Sequence, residues 1–291
     1  MIFENEYLQI IINAVTYLTA TFILLFIGKF TYQLFHKKIN VNKELVEKDN
    51  FAFSLSYVGY NTGLILAIGA ALIGPSMGLI NDLISIGIYG VFAILLLNIS
   101  TILNDLFVLR KFNVRKEVIG DQNAGAGVVE AASSIASGLI ILGAVSGEAT
   151  GFIAGIESAL IFWALGQVAL ILTSKVYDYI TPYSIHKEIE KDNVAAGIGF
   201  AGAMIAIANI IRFAISDDFL SWTETFSVVS FNIAIGFLFL PIARIFADKI
   251  LLPGRKLTDE IVGQGNKFNN GAALIEAFAY IGGSFLITWC I

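Results

Sequence analysis

The chain repeats its own polar residues at a fixed interval. The segment Glu47–Asn50, with the sequence EKDN, returns unchanged as Glu190–Asn193, and the interval is 143 residues (193 − 50). The same interval relates Glu117 to Glu260, Asn123 to Asn266 and Asp105 to Asp248. Polar matches at a constant spacing are typical of internal duplication. We therefore expect two similar halves, residues 1–146 and 147–291.

A weaker repeat lies inside each half. It has an interval of 73 residues and relates Glu44 to Glu117, Asn50 to Asn123 and Asn193 to Asn266. The basic unit is therefore about half of each half and is used four times. Each unit contains two apolar stretches, so the repeat sets the topology of the whole chain.

The composition predicts a membrane protein. Hydrophobic residues make up 57% of the chain and charged residues 14%, with a mean hydropathy of +0.79, well above the values of soluble domains. A helix of about 20 apolar residues crosses a hydrocarbon core of ~30 Å. We predict an all-α fold with eight transmembrane helices, arranged as four hairpins in a parallel internal duplication. They lie near residues 8–30, 50–74, 80–103, 122–146, 151–176, 193–216, 224–247 and 268–290.

Long polar linkers alternate with very short turns between these helices. Most of the lysines and arginines lie in the linkers, whereas Glu4, Glu6 and Glu148 lie at the opposite face. The positive-inside rule places such linkers in the cytoplasm, so we expect both termini on the outer side of a bacterial inner membrane. The net charge of −5 averages these two faces, and it gives no sign of nucleic-acid binding.

The sequence gives little support to enzymatic chemistry. It contains no metalloprotease, nucleophile-elbow or Walker motif, and the linkers are too short for a separate catalytic domain. The single cysteine, Cys290, cannot form an intramolecular disulfide, and His36 and His186 do not have metal-ligand spacing. We expect no enzyme activity, no metal site and no cofactor.

The linkers and the helix ends beside them share a motif. The first helix of a unit ends near an aspartate, the linker closes on Glu-Ile or Glu-Val, and an asparagine precedes a run of alanine and glycine. These positions are Asp105, Asp178 and Asp248, then Glu117-Val118, Glu188-Ile189 and Glu260-Ile261, and Asp192-Asn193-Val194-Ala195-Ala196-Gly197. The motif resembles that of the YjfL-like bacterial membrane family, a domain of unknown function (DUF350), over nearly the whole chain and in two tandem copies. The resemblance implies a multi-pass inner-membrane protein and no catalytic residues.

The repeated asparagines and aspartates have a structural interpretation. Asn50, Asn123 and Asn193 begin the second helix of their units, where an asparagine side chain accepts from free backbone N–H groups. We interpret them as helix caps rather than ligands, and we expect either Asn266 or Asn269 to be the equivalent cap in the fourth unit. Asp105, Asp178 and Asp248 lie at helix C-termini, where the helix dipole disfavours an anion. We expect them to pair with lysines or arginines of the linkers.

Glu130 and Glu276 are the candidate ion or proton site. They occupy the same position in the two halves, about eight residues or ~12 Å into their helices. An acid at that depth costs ~2.5–3.5 kcal/mol on insertion scales, and we expect no lysine or arginine at the same depth. The two carboxyls are therefore expected to be protonated or to hold a cation. The alternative is a pair of neutral carboxyls hydrogen-bonded to serine, asparagine or backbone groups.

Four further polar residues remain. Three of them have two interpretations each, and Arg212 has a structural one. Glu157 either lines a vestibule or is solvated at the membrane interface. Asn61 and Asn209 either line a pathway or form hydrogen bonds between helices. Arg212 is expected to extend outward towards Asp217 or Asp218.

These features favour a protein that conducts or transports a proton or a small cation, with Glu130 and Glu276 at the interface between the halves. The alternative is a membrane scaffold or envelope-stress component whose basic linkers bind a cytoplasmic protein or anionic lipid. The lipid bilayer is the expected environment in both cases, and an oligomer is compatible with either.

Overall fold

The structure is a computed structural model that describes residues 2–73, 76–109, 113–147, 151–216, 221–252, 254–263 and 267–290. Its α-helices are α1 (Ile2–Phe35), α2 (Phe51–Gly69), α3 (Leu79–Phe107), α4 (Ala124–Ser146), α5 (Phe152–Ile180), α6 (Ile185–Ile189), α7 (Val194–Ile215), α8 (Trp222–Phe246), α9 (Leu257–Val262) and α10 (Asn270–Cys290). Short π-helical turns precede α2 at Lys43–Glu47 and α4 at Lys116–Gly120, and another follows α8 at Ala247–Leu251. A 3₁₀ turn at Ala70–Leu72 extends α2. The described residues form no strand.

The predicted all-α fold is confirmed. Within the described ranges, eight helices are long and apolar enough to cross a bilayer, namely α1 to α5, α7, α8 and α10. The two short helices, α6 and α9, lie in the third and fourth linkers. Helix α8 continues through Pro241 to Phe246 as one helix. We call the end of the bundle that carries the linkers the linker side.

The four units build the bundle in a regular way. Each unit consists of a first helix, a linker and a second helix: α1 and α2, α3 and α4, α5 and α7, α8 and α10. The second helices α2, α4, α7 and α10 pack side by side in that order and form an inner row, which the first helices flank. Helix α7, inside this row, is the most deeply buried of the spanning helices.

Small residues allow the helices of the inner row to approach closely. A Cβ atom added at Gly63 of α2 would lie 2.3 Å from the carbonyl oxygen of Ser134 in α4. One added at Gly202 of α7 would lie 2.4 Å from the Cα of Ala277 in α10. Glycine at such positions lets backbones touch in lipid, where van der Waals packing holds helices together.

The last helix of the row carries large residues where α4 carries small ones. The acids Glu130 and Glu276 are 146 residues apart (276 − 130), and the same offset relates Ala132 to Phe278 and Gly143 to Trp289. Gly143 packs on the backbone of α7, whereas Phe278 and Trp289 are exposed. The outer face of α10 therefore carries exposed large side chains, whereas the matching face of α4 packs closely on its neighbours.

The repeated asparagines cap the second helices and also join consecutive units. Asn123 Oδ1 accepts from the backbone N–H of Ala126 at 3.0 Å, and its Nδ2 donates to Glu117 Oε2 at 3.0 Å. The same Nδ2 donates to the carbonyl oxygen of Ile189 in the next linker at 2.6 Å. Asn50 and Asn193 make the equivalent bonds, to Glu44 and Val118 and to Glu188 and Ile261 respectively. Each linker is thereby tied to the one before it.

Asn269 caps the last second helix. Its Oδ1 accepts from the N–H of Ala272 at 3.0 Å and its Nδ2 donates to Glu260 at 2.8 Å. Asn266, the other candidate for this position, lies outside the described residues. The residue before each of the first three asparagines is left-handed, with φ of 50° at Asp49, 54° at Gln122 and 60° at Asp192.

Candidate functional site

An open cavity of about 310 Å³ lies on the linker side of the first half. Its walls come from the first four helices and the first two linkers. The lining residues are Tyr32, Leu34, Phe35, His36, Lys37, Lys38, Ile39, Phe53, Ser56, Asp105, Val114, Arg115, Val118, Ile119 and Glu130. One of the two predicted intramembrane acids, Glu130, is thus accessible from this side.

Two carboxyl groups form the deep part of this cavity. Glu130 lies seven residues into its helix from the cap Asn123, or ~10 Å at 1.5 Å per residue, and Asp105 lies in the last turn of α3. The two carboxyls are close enough to interact electrostatically. Within the part of the chain that the structure describes, neither forms an ion pair with a lysine or arginine.

The outer rim of the cavity is basic. Lys37 and Lys38 are exposed there directly after α1, and Arg115 is exposed in the second linker. Arg115 Nη2 donates to the carbonyl oxygen of Lys38 at 3.0 Å, which holds the two linkers together. The His36 ring stacks on Tyr32, with 4.1 Å between ring centroids. Burial lowers the pKa of His36, although its hydrogen bond to the carbonyl of Tyr32 opposes this.

The matching acid of the second half lies in a closed and different environment. Glu276 is fully buried and forms an ion pair with Arg244 of α8. Its Oε1 also accepts from the hydroxyls of Tyr177 at 3.2 Å and Tyr280 at 3.0 Å. The expectation that no arginine lies at the depth of Glu276 is therefore wrong, because the long Arg244 side chain reaches inward from the end of its helix.

Residues of the third and fourth linkers complete this closed cluster. Arg244 Nη2 donates to Thr258 Oγ1 in α9 at 3.2 Å, and its guanidinium lies 5.8 Å from the centre of the Tyr183 ring. Burial, together with the nearby Glu276 carboxyl, raises the pKa of Tyr183 to about 12. Glu130 and Glu276 thus have separate surroundings, since no lining residue of the cavity contacts Glu276.

The other candidate residues lie away from the cavity. Glu157 is exposed on the surface of α5. Asn61 donates to the carbonyl oxygen of Tyr57 in its own helix at 2.7 Å. Asn209 is buried and donates to Ser284 of α10 at 3.1 Å. Arg212 donates to Asn209 Oδ1, with both bonds at 3.3 Å, whereas Asp217 and Asp218 lie outside the described residues.

The three aspartates at the ends of first helices have different roles. Asp248 Oδ1 accepts from the backbone N–H of Leu257 at 2.5 Å, at the start of α9. Asp178 accepts from the N–H of Ile185, at the start of α6, at 3.3 Å. In both cases the chain folds back so that the aspartate holds the start of a short linker helix. Asp105 alone of the three lines the cavity.

We call the surroundings of Glu130 and Glu276 the first and the second niche. The cations that distinguish them are not indicated by motif or by depth: Arg244 lies in the second niche, and Lys37, Lys38 and Arg115 lie at the rim of the first. The repeat itself indicates this difference, because the interval of 143 residues relates Arg244 to Thr101 (244 − 143). A cation present in one half and absent from the other indicates that the halves differ near the shared acid.

A family model described as "Domain of Unknown Function (DUF350)" matches residues 6–145 and again residues 150–291. The chain belongs to the DUF350 family. A "UPF0719 transmembrane protein" from Aquifex aeolicus (strain VF5) is 24% identical over 273 residues, which is 93% of this chain and 97% of that protein. No solved structure matches the chain. The two family matches agree with the internal repeat, and the relative agrees with a multi-pass membrane protein.

Proposed function

We propose that this DUF350 protein binds a proton or a small cation in the first-half cavity and conducts or transports it across the membrane, without enzymatic activity. The observation that carries the proposal is the pair Asp105 and Glu130. Both carboxyls line an open cavity, and neither has a described cationic partner. The second half contributes structure rather than a second site, because Glu276 is already neutralised.

The chemistry of the pair favours a cationic ligand. Two carboxylates that lie close together repel one another, and a shared proton or a bound cation removes this repulsion. Partial burial strengthens the effect, since a surrounding of low dielectric constant screens the charges poorly. Ser56 adds a hydroxyl to the same lining. The site is therefore poised to exchange a cation with the linker side.

The direction of access follows from the topology. The excess of lysine and arginine in the linkers supports a cytoplasmic linker side, with both termini outside. The cavity then opens to the cytoplasm of a bacterial cell whose inner membrane holds the protein. Ions would enter the site from there, and their release on the other side requires a rearrangement of the inner row.

Flux through proteoliposomes tests the proposal. The wild type is compared with a Glu130→Gln, Asp105→Asn variant for protons, sodium, potassium and a polyamine. A Glu157→Gln variant is the matched control, because that acid is exposed on α5 and remote from the cavity lining. Flux that is lost only in the double variant supports the proposal. A wild type that moves none of these ions, or a double variant with unchanged flux, contradicts it.

The alternative is a scaffold that binds a cytoplasmic protein or anionic lipid through its linkers. The exposed Lys37 and Lys38 favour it. Several other linker cations pair with acids of their own linker instead, among them Lys48 with Glu44 and Lys191 with Glu188. Reversing the charge of Lys37 and Lys38 would abolish such binding, while the Gln and Asn variants of the cavity would leave it unchanged.

A further inference from the structure

The first-half cavity separates opposite charges by depth. Glu130 and Asp105 lie in its inner part, while Lys37, Lys38 and Arg115 lie at its opening. A bare metal ion or a proton would use only the inner carboxyls. A site for small cations alone therefore gives the basic rim no role.

We propose that the cavity binds a ligand that carries a primary ammonium group and a phosphate group, with the ammonium at the carboxyls and the phosphate at the rim. The chemical class is an aminoalkyl phosphate, such as the ethanolamine phosphate headgroup of a phospholipid. This inference rests on the cation site proposed above and specifies which cation it takes.

The inner carboxyls match an ammonium group. An R–NH₃⁺ group has three N–H donors and no acceptor, and Glu130 and Asp105 together offer four carboxylate oxygens. Hydrogen bonds between ionised partners are roughly twice as strong as neutral ones. A quaternary ammonium such as choline has no N–H donor, so this site discriminates against it.

The rim matches a phosphate group. Arginine and lysine are the side chains that bind phosphate, arginine through its planar fork of donors and lysine as a point charge. Arg115 uses one donor on the carbonyl oxygen of Lys38, which leaves most of its guanidinium for a ligand and fixes it beside Lys38. A phosphate at this place would bridge the first two linkers.

The position of the opening favours a lipid as the source of this chemistry. Leu34 and Phe35 line the cavity at the last turn of α1, and they are 47% and 45% exposed. Exposed apolar side chains at the end of a spanning helix lie where the headgroup region begins. The opening thus adjoins both the membrane interface and the basic linker residues, as a headgroup site requires.

Binding measurements on the purified full-length protein in detergent test the inference. The probes are O-phosphoethanolamine, ethanolamine, phosphocholine and inorganic phosphate, each titrated calorimetrically. We expect O-phosphoethanolamine to bind about tenfold more tightly than ethanolamine, a difference worth about one rim contact, and phosphocholine to bind more weakly than either. A Lys37→Gln, Lys38→Gln variant should lose this advantage and keep its affinity for ethanolamine.

Controls separate this inference from the cation site on which it rests. A Lys187→Gln, Lys256→Gln variant changes two exposed lysines of other linkers and should bind as the wild type does. If ethanolamine binds but the phosphate adds nothing, the inference is wrong and the cation site stands. If neither ethanolamine nor O-phosphoethanolamine binds, the inference fails together with an ammonium site, and the ion flux measurement decides the fate of the cation site separately.

Nanodiscs distinguish the two sources of the ligand. The protein is reconstituted with phosphatidylethanolamine or with phosphatidylcholine, and retained lipid is detected by native mass spectrometry. Selective retention of phosphatidylethanolamine, lost in Glu130→Gln, supports a lipid headgroup. Binding of the soluble probe without such retention assigns the site to a free aminoalkyl phosphate. Equal retention of both lipids together with equal affinity for phosphocholine and O-phosphoethanolamine overturns the inference.

Discussion

The two halves place the same acid in opposite surroundings. Glu130 of the first half lines an open cavity with Asp105 and has no described ion-pair partner. Glu276 of the second half is fully buried and bonded to Arg244, Tyr177 and Tyr280. At one position of the repeat, the acid therefore lines an open cavity in the first half and connects α5, α8 and α10 in the second.

The difference depends on a few side chains and on the short linker helix α9 of the second half. Arg244 fills the second niche, whereas Thr101 stands at the corresponding position of the first half. Asp248 turns to the N–H of Leu257, whereas its counterpart Asp105 faces the cavity. The repeat therefore presents Glu130 to an open cavity and holds Glu276 in a structural contact.

The largest effect is expected for the closed niche. Arg244→Met leaves the carboxylate of Glu276 buried without its cation, and breaking a buried pair in this way costs about 3–5 kcal/mol. Chemical unfolding in detergent measures this loss. Adding Glu276→Gln to Arg244→Met should recover much of it, because the uncompensated charge is then gone. If Arg244→Met has the same unfolding free energy as the wild type, the ion pair of Arg244 and Glu276 does not stabilise the fold.

Adding a methyl group at a close helix contact of the inner row should destabilise the protein by a similar amount in both halves. Gly63→Ala in α2 and Gly202→Ala in α7 each introduce a methyl group against a neighbouring backbone, and overpacking of this kind costs about 1–3 kcal/mol. Gly87→Ala in α3 is the control, because nothing lies near its added Cβ. Unfolding midpoints of the three variants compare them. A large effect in one half alone would show that the halves differ in packing as well as in their niches.

The asparagine caps should differ in importance according to whether the asparagine also bonds to a neighbouring linker. Asn123→Ala removes a cap, a bond to Glu117 and a bond to the next linker, so we expect a loss of about 2–3 kcal/mol. Asn269→Ala removes a cap and a bond to Glu260, and within the described residues Asn269 has no bond to another linker, so a loss of about 1 kcal/mol is expected. Equal losses in unfolding free energy would argue against the linking role of Asn123.

The smallest effect concerns pH at the rim of the cavity. The folded state lowers the pKa of His36, so it binds fewer protons at this residue than the unfolded state does. Stability should therefore rise with pH up to the ordinary histidine value near 6.5 and fall in more acidic solution. His36→Phe keeps a ring to stack on Tyr32 and should flatten this slope between pH 5 and 7. An unchanged slope assigns the dependence to other groups.

The sequence predicts the helices and the repeat well, because both depend on local information. Apolar length alone marks eight spans, and the spacing of Asn50, Asn123 and Asn193 marks the start of the second helices. The surroundings of the acids could not be predicted in the same way. Depth along a helix follows from residue count, but the rotation of α8 that points Arg244 at Glu276 depends on packing between helices distant in sequence.

Glu130 and Glu276 do not form one site at the interface between the halves, which corrects the expectation from the repeat. Among the second helices, only α4 and α10 carry an acid at this position, and α10 presents Glu276 to its own unit and to the unit before it. The contacts of Glu276 with Tyr177 of α5 and Arg244 of α8 show this arrangement. The two niches can be distinguished in the sequence by comparing residues that are 143 positions apart, such as Thr101 and Arg244.

The central claim is that Glu130 binds a cation whereas Glu276 is structural. Thermal unfolding of the wild type, Glu130→Gln and Glu276→Gln, each with and without sodium, potassium or ethanolamine, tests it most directly. The account predicts that Glu276→Gln melts well below the wild type and keeps the stabilisation by ligand, while Glu130→Gln melts near the wild type and loses it. A ligand response that survives in Glu130→Gln, or disappears only in Glu276→Gln, would contradict the account.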